Sequence, residues 1–141
     1  MDFDEDIITE LDQEECWAAL RADEFGRLAY RLGDEVNLVP LNYTVDDSTL
    51  LFRTAEGSKL LGIVLNPDVV FEIDSYGESS ATSVVVRGTA RLLEEDEEHR
   101  ADTTRLRQWL PTLKYNVVEI TPVTITGRRF VLERPHLGVG G

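Results

Sequence analysis

"VPLNYTVDDSTLLFRTAEGSKL", residues 39–60, decides how this chain is read. Its first part, within "VNLVPLNYTV", is apolar and β-branched; "DDS" is a turn; "TLLFRT" is a second strand of alternating character. "GSKLLGIVLN" then reads as a short helix closed near Asn66-Pro67. Two features stand out. Pro40 has no backbone N–H, so its strand must be an edge, carry a bulge, or face something other than another strand. At the end of "TLLFRT", Arg53, Thr54, Ser58 and Lys59 gather hydroxyls and cations where the chain turns into a helix.

The segments on either side fit the same pattern. Upstream, Asp12 and Glu15 form a capping-box start, with Leu11 and Cys16 placed as a hydrophobic staple. Cys16, Trp17, Ala19 and Leu20 give that helix an apolar face, and "FGRLAYRL" alternates as a strand. Downstream, "DVVFEIDSY" and "SVVVRGTARLL" are long strands separated by the polar turn "GESSA". "EEDEEHRADTTRLRQWL" has helical spacing, with Leu106, Trp109 and Leu110 on one side. "NVVEITP" and "VTITGRRFVLE" are two more strands before a Gly-rich tail. Arg87-Gly88 reads as a strand bend and Gly127 as a bulge or turn. Arg128 and Arg129 alternate across a strand, so only one of them can face a given cleft. Short strands joined by tight turns predict a mainly β protein, a small antiparallel barrel with peripheral helices. One domain over 9–134 is expected, with a flexible, dispensable acidic segment at 1–8 and a tail at 135–141.

Composition narrows the function. With 27 acidic against 14 basic residues the formal charge is -13, which repels nucleic-acid phosphates. Hydrophobic content of 42% is ordinary for a globular protein, and no apolar run is long enough for a membrane helix. The acidic start does not resemble a signal peptide, so the expected location is cytoplasmic. Cys16 is the only cysteine, which reads as a small buried apolar residue. His99 and His136 lack metal-ligand spacing, so no metal site is expected.

A small anionic ligand remains allowed, and "GSK" invites comparison with a P-loop. That comparison fails. Ser58 separates Gly57 from Lys59, Leu60 follows the lysine, and Phe52 stands where the first glycine is needed. A strand end feeding a helix N-terminus is the other route to a phosphate site, through free backbone N–H groups and the helix dipole. Read from the residues alone, Ser58 serves equally as an N-cap and Arg53 as a solvated strand end.

The series "VPLNYTVDDSTLLFRTAEGSKL", "FEID", "SVVVRGTARLL", a late tryptophan and "ITGRRF" resembles the pyridoxamine 5'-phosphate oxidase-like superfamily, in its small nitroimidazole-resistance-type branch. The resemblance runs from about residue 12 to about residue 133. It implies a six-stranded split β-barrel of Greek-key type and a homodimer with FMN in clefts at the interface. Its implied activity is flavin-dependent oxidation or reduction of a small molecule. A deazaflavin and a non-catalytic flavin-binding or sensing role are the alternatives. By position, the resemblance gives Arg53, Thr54, Ser58 and Lys59 to the FMN phosphate, and Val39, Pro40, Leu41 and Asn42 to the flavin ring. It makes Ser83 a polar flavin contact, and Trp109 a residue reaching the cofactor from the partner. Thr82 departs from the pattern, standing where relatives often carry tryptophan.

Overall fold

The computed structural model describes residues 7–55, 58–102 and 116–132. Seven strands form one antiparallel sheet: β1 (Ile8–Leu11), β2 (Phe25–Leu32), β3 (Glu35–Asp46), β4 (Thr49–Thr54), β5 (Asp68–Tyr76), β6 (Ser80–Leu92) and β7 (Asn116–Val131). In space they run β1-β7-β4-β3-β2-β5-β6, and β6 also pairs with β7. That last pairing closes β7, β4, β3, β2, β5 and β6 into a six-stranded barrel, with β1 added on the flank of β7. The helices are peripheral: α1 (Gln13–Ala22), α2 (Ser58–Leu65) and the short α3 (His99–Asp102), preceded by a 3-10 turn at Glu95–Glu97.

Alternation explains the core. Leu28, Phe71, Ile73, Val84, Val86, Val118 and Ile120 point inward and are all buried, while their strand neighbours face out. Tyr43 sits edge-on to Phe71, with ring centroids 4.8 Å apart, and donates its hydroxyl to the Leu20 carbonyl at 2.6 Å. The buried phenol thus has the hydrogen bond its burial requires, and it ties α1 to the barrel. The capping box of α1 forms as the spacing predicts, with Asp12 accepting from the Glu15 N–H. Cys16 and Leu20 on its inner face are fully buried. Burial first, then Asp12 and Glu15, push the Cys16 thiol upward from its ordinary pKa, so it is an unreactive packing group.

Four expectations change. "NVVEITP" and "VTITGRRFVLE" are one strand, because β7 must span β4 and β1 on one side and β6 along the other. Pro122 does not end it. The register shifts instead, with Gly88 opposite Pro122 and Arg87 opposite Thr124, leaving Val123 as the extra residue of a bulge. The turn "GESSA" is shorter than read, since β6 begins at Ser80 and the Gly77 N–H bonds the Ser80 carbonyl at 2.8 Å. Finally, β1 lies where no strand was read. Ile8 pairs with Phe130, and the Val131 N–H donates to the Ile7 carbonyl, so Ile7 and Ile8 belong to the sheet and not to a flexible segment. Residues 1–6, the tail 135–141, and Trp109 with most of its helical pattern lie outside the described residues.

Gly127 is neither bulge nor turn. It sits in register between Leu11 and Val84, directly beneath α1. A Cβ there would lie 2.6 Å from the Cys16 sulfur and 3.1 Å from the Leu11 Cβ. Gly127→Ala is therefore expected to cost about 1–3 kcal/mol by overpacking, read from urea midpoints. Cys16→Ala added to it should recover part of that loss; no recovery would place the strain elsewhere.

Candidate functional site

The barrel opens between β3 and β4. The two strands pair only from Tyr43–Phe52 to Asp46–Thr49. Beyond that point β3 stays with β2, where Val39, Pro40, Leu41 and Asn42 pair with Leu28, Arg27, Gly26 and Phe25. β4 stays with β7, where Arg53 and Thr54 pair with Val117 and Asn116. Continuing the register would set Asn42 against Arg53 and Leu41 against Thr54, yet neither pair forms. The strands diverge here and leave one edge of β3 without a strand neighbour.

That edge accounts for Pro40. The Tyr43 N–H donates to the Glu24 carbonyl at 3.0 Å, so alternate residues, Leu41 and Val39, also point their backbone groups toward β2. The ring nitrogen of Pro40 and the N–H of Asn42 then face the open side, where a proline sacrifices no ladder bond. The Asn42 side chain is buried and donates to the Glu24 carbonyl at 2.7 Å, which fixes the start of the open stretch.

The other wall is the end of β4 and the start of α2. Arg53 is half-buried and Thr54 buried. The Thr54 hydroxyl donates to the Ala55 carbonyl at 3.1 Å, which leaves its lone pairs as the remaining function. α2 starts at Ser58 with no acidic residue in its first turn, so the positive end of its dipole is not neutralised locally. The structure thus brings Val39–Asn42, Arg53, Thr54 and the chain at Ser58 and Lys59 to one split. An anion at the β4–α2 junction and a flat ring along the free β3 edge suit these groups.

Ser83 lies apart from that split, on the outer face of β6. From β3 the rows run Pro40, Arg27, Glu72, Val85 on adjacent strands, with Ser83 opposite Asp74 one row further on. Strand spacing puts Ser83 about 14 Å from Pro40 around the barrel. The intervening residues are linked. Arg27 Nη2 donates to Glu72 Oε1 at 2.6 Å and also to Asp74, and Ser83 Oγ donates to Glu72 Oε2 at 3.3 Å. Burial, then Asp74, raise the Glu72 pKa from its ordinary value, and Arg27 opposes them. Sequence reading missed Arg27, Glu72 and Asp74; the alternating polar residues of "FGRLAYRL" and "FEID" mark their outward side, but their register is a tertiary fact.

The same face becomes apolar toward the other end. Val36 and Leu38 are 67% and 66% exposed, and Leu38, Ala29 and Val70 share one row. Beside them is a groove of about 350 Å³ lined by Ala29, Arg31, Val36, Val70, Arg87 and Val123. It follows from the bulge at Val123 and lies away from the β3–β4 split. Among the described residues no helix is long and apolar enough to cross a membrane.

A closed antiparallel barrel that splits at one end, with cations and a helix start at the opening, defines the split-barrel class. The chain belongs to the pyridoxamine 5'-phosphate oxidase family, whose model matches residues 12–129. A Corynebacterium glutamicum protein provisionally assigned as a pyridoxamine 5'-phosphate oxidase is 41% identical, with TM-score 0.79 over 95% of this chain and 99% of that one. The FAD binding protein of Mycobacterium smegmatis is 37% identical, with TM-score 0.78 over 89% of this chain and 100% of that one. A Bacteroides thetaiotaomicron protein assigned to 5-nitroimidazole antibiotic resistance shares the fold at 16% identity, with TM-score 0.73 over 88% of this chain and 89% of that one.

Proposed function

We propose that the protein binds a flavin, FMN in the first instance, and acts as a flavin-dependent oxidoreductase on a small molecule. The observation that carries this reading is the β3–β4 split, which sets an unpaired backbone edge at Val39–Asn42 beside Arg53 and the start of α2. The family match and the FAD-binding relative from Mycobacterium smegmatis support it. Arg53 and Lys59 supply cations for a phosphate, and the open edge supplies backbone hydrogen bonds for a ring system. The flavin itself would supply the two-electron chemistry, and the chain its binding, orientation and surrounding charge.

Titration of the purified protein with FMN, FAD and riboflavin, followed by flavin fluorescence, tests the proposal. Saturable binding with FMN tighter than riboflavin is the expected result. Failure of every flavin to bind would leave a family member with another ligand. Faster reduction or reoxidation of the bound flavin with one donor or substrate class then separates an enzyme from a sensing module.

A second copy of the chain is the partner this reading includes. The exposed row of Val36 and Leu38, continued by Ala29 and Val70, is an apolar face that a second copy would cover. Sedimentation is expected to give a dimer at micromolar concentration, and Leu38→Glu is expected to shift it toward monomer at least tenfold in dissociation constant, since a charge would be buried at the contact. A monomeric wild-type protein would remove this part of the proposal.

A further inference from the structure

Arg27, Glu72 and Ser83 do more than decorate the outer face. An ionised carboxylate only accepts hydrogen bonds, so Glu72, held by Arg27, forces the single hydroxyl hydrogen of Ser83 to point at it. Ser83 then presents lone pairs alone to anything that docks on this face. Arg27 uses only Nη2 for both carboxylates, and among the described residues its Nε and Nη1 hydrogens have no protein acceptor. Its side chain is 42% exposed and is next to Pro40 in register. One carboxylate therefore fixes a donor and an acceptor side by side. The surface around them is less polar, with Val85 in the row of Glu72 and with Ala29 and Val70 in the row beyond.

We infer that Arg27, Glu72 and Ser83 form a recognition row for a cyclic imide edge: Arg27 donates to an imide carbonyl, Ser83 accepts from the imide N–H, and Glu72 orients both. This rests on the flavin reading above and names the ring edge that this chain selects, an edge that flavins and deazaflavins share. Glu72 is a positioning residue, since it acts through its two neighbours. Selection follows from its charge, because a hydroxyl free to rotate would serve a donor or an acceptor equally, whereas this one serves a donor only.

The test compares FMN with its N3-methyl derivative, in which the imide N–H is replaced and nothing else changes. Dissociation constants are read from flavin fluorescence, independently of turnover. Wild-type protein is expected to bind the methylated ligand about tenfold more weakly or worse. Ser83→Ala should weaken FMN and bring the ratio of the two constants close to one. Arg27→Gln should weaken both ligands, because the carbonyl is common to them. Equal binding of both ligands by the wild-type protein would overturn the inference while leaving the flavin reading intact. So would a ratio that survives Ser83→Ala. No FMN binding by the wild type would overturn both readings.

Discussion

Glu119→Leu is expected to lower the melting temperature by about 5–10 °C, corresponding to a loss of about 2–3 kcal/mol. The carboxylate of Glu119 is 7% exposed and sits on β7 between two arginines. It accepts from Arg91 Nε of β6 at 2.8 Å and from Arg100 Nη2 of α3 at 2.6 Å. Arg91 also grips Glu97 at 2.9 Å, and Arg100 grips Asp46, at the end of β3, at 2.7 Å. One buried anion thus ties the 3-10 turn and α3 to three strands, over the small cluster of Leu51, Leu93, Ala101 and Val117. Removing one partner of a buried pair costs more than the pair contributes, because the opposite charge is left uncompensated. The estimate stays below the range for fully buried pairs because Arg91 is half exposed and can turn toward water. An unchanged melting curve would mean that the arginines find equivalent partners in Glu97 and Asp46.

The same network gives a direction for acid. The Glu97 carboxyl is lowered to about 2, first by its hydrogen bond from Arg91 and then by the Glu94 backbone. A carboxylate depressed in the fold adds stability that is present above its unfolded pKa and lost as pH falls through its folded one. The wild-type melting temperature should therefore decline between about pH 4.5 and about pH 2. Arg91→Gln should flatten part of that decline by restoring an ordinary Glu97.

What the sequence made legible was local. Alternation marks β2, β4 and β5 end to end, and Asp12 with Glu15 marks the start of α1, because those signals lie within a few residues of each other. Pro40 announced an unpaired edge for the same reason. β1 gave no such signal: "ITEL" buries only Leu11 fully, and its partners begin at Gly127. The meaning of Gly127 depends on Cys16 lying across it, a contact no spacing rule contains. Arg27 and Glu72 are 45 residues apart and meet only through the pairing of β2 with β5. The phosphate candidate was visible as a density of cations and hydroxyls, but the open edge facing it required the divergence of β3 from β4.

Arg53→Ala and Lys59→Ala are each expected to weaken FMN binding about ten- to a hundredfold. That is the effect of losing one charge-assisted hydrogen bond worth about 1.5–3 kcal/mol. Arg53 is half-buried at the last turn of β4, and Lys59 is the second residue of α2, so both flank the opening between β3 and β4. Thr54 is expected to behave differently. Its hydroxyl hydrogen is committed to the Ala55 carbonyl, so it is poorly placed to donate to a phosphate, and Thr54→Ser should change FMN affinity less than about threefold. Riboflavin is the control, because it carries the same ring without the phosphate and should bind all four proteins nearly alike. Loss of FMN and riboflavin by equal factors in the arginine and lysine variants would show that the junction acts through the fold, which melting curves of the same proteins would register. Retention of FMN by both would make the β4–α2 junction a structural turn with charged edges and move the phosphate elsewhere. Loss confined to FMN is the outcome that the free helix start, its missing acidic residues and the neighbouring open edge together lead one to expect.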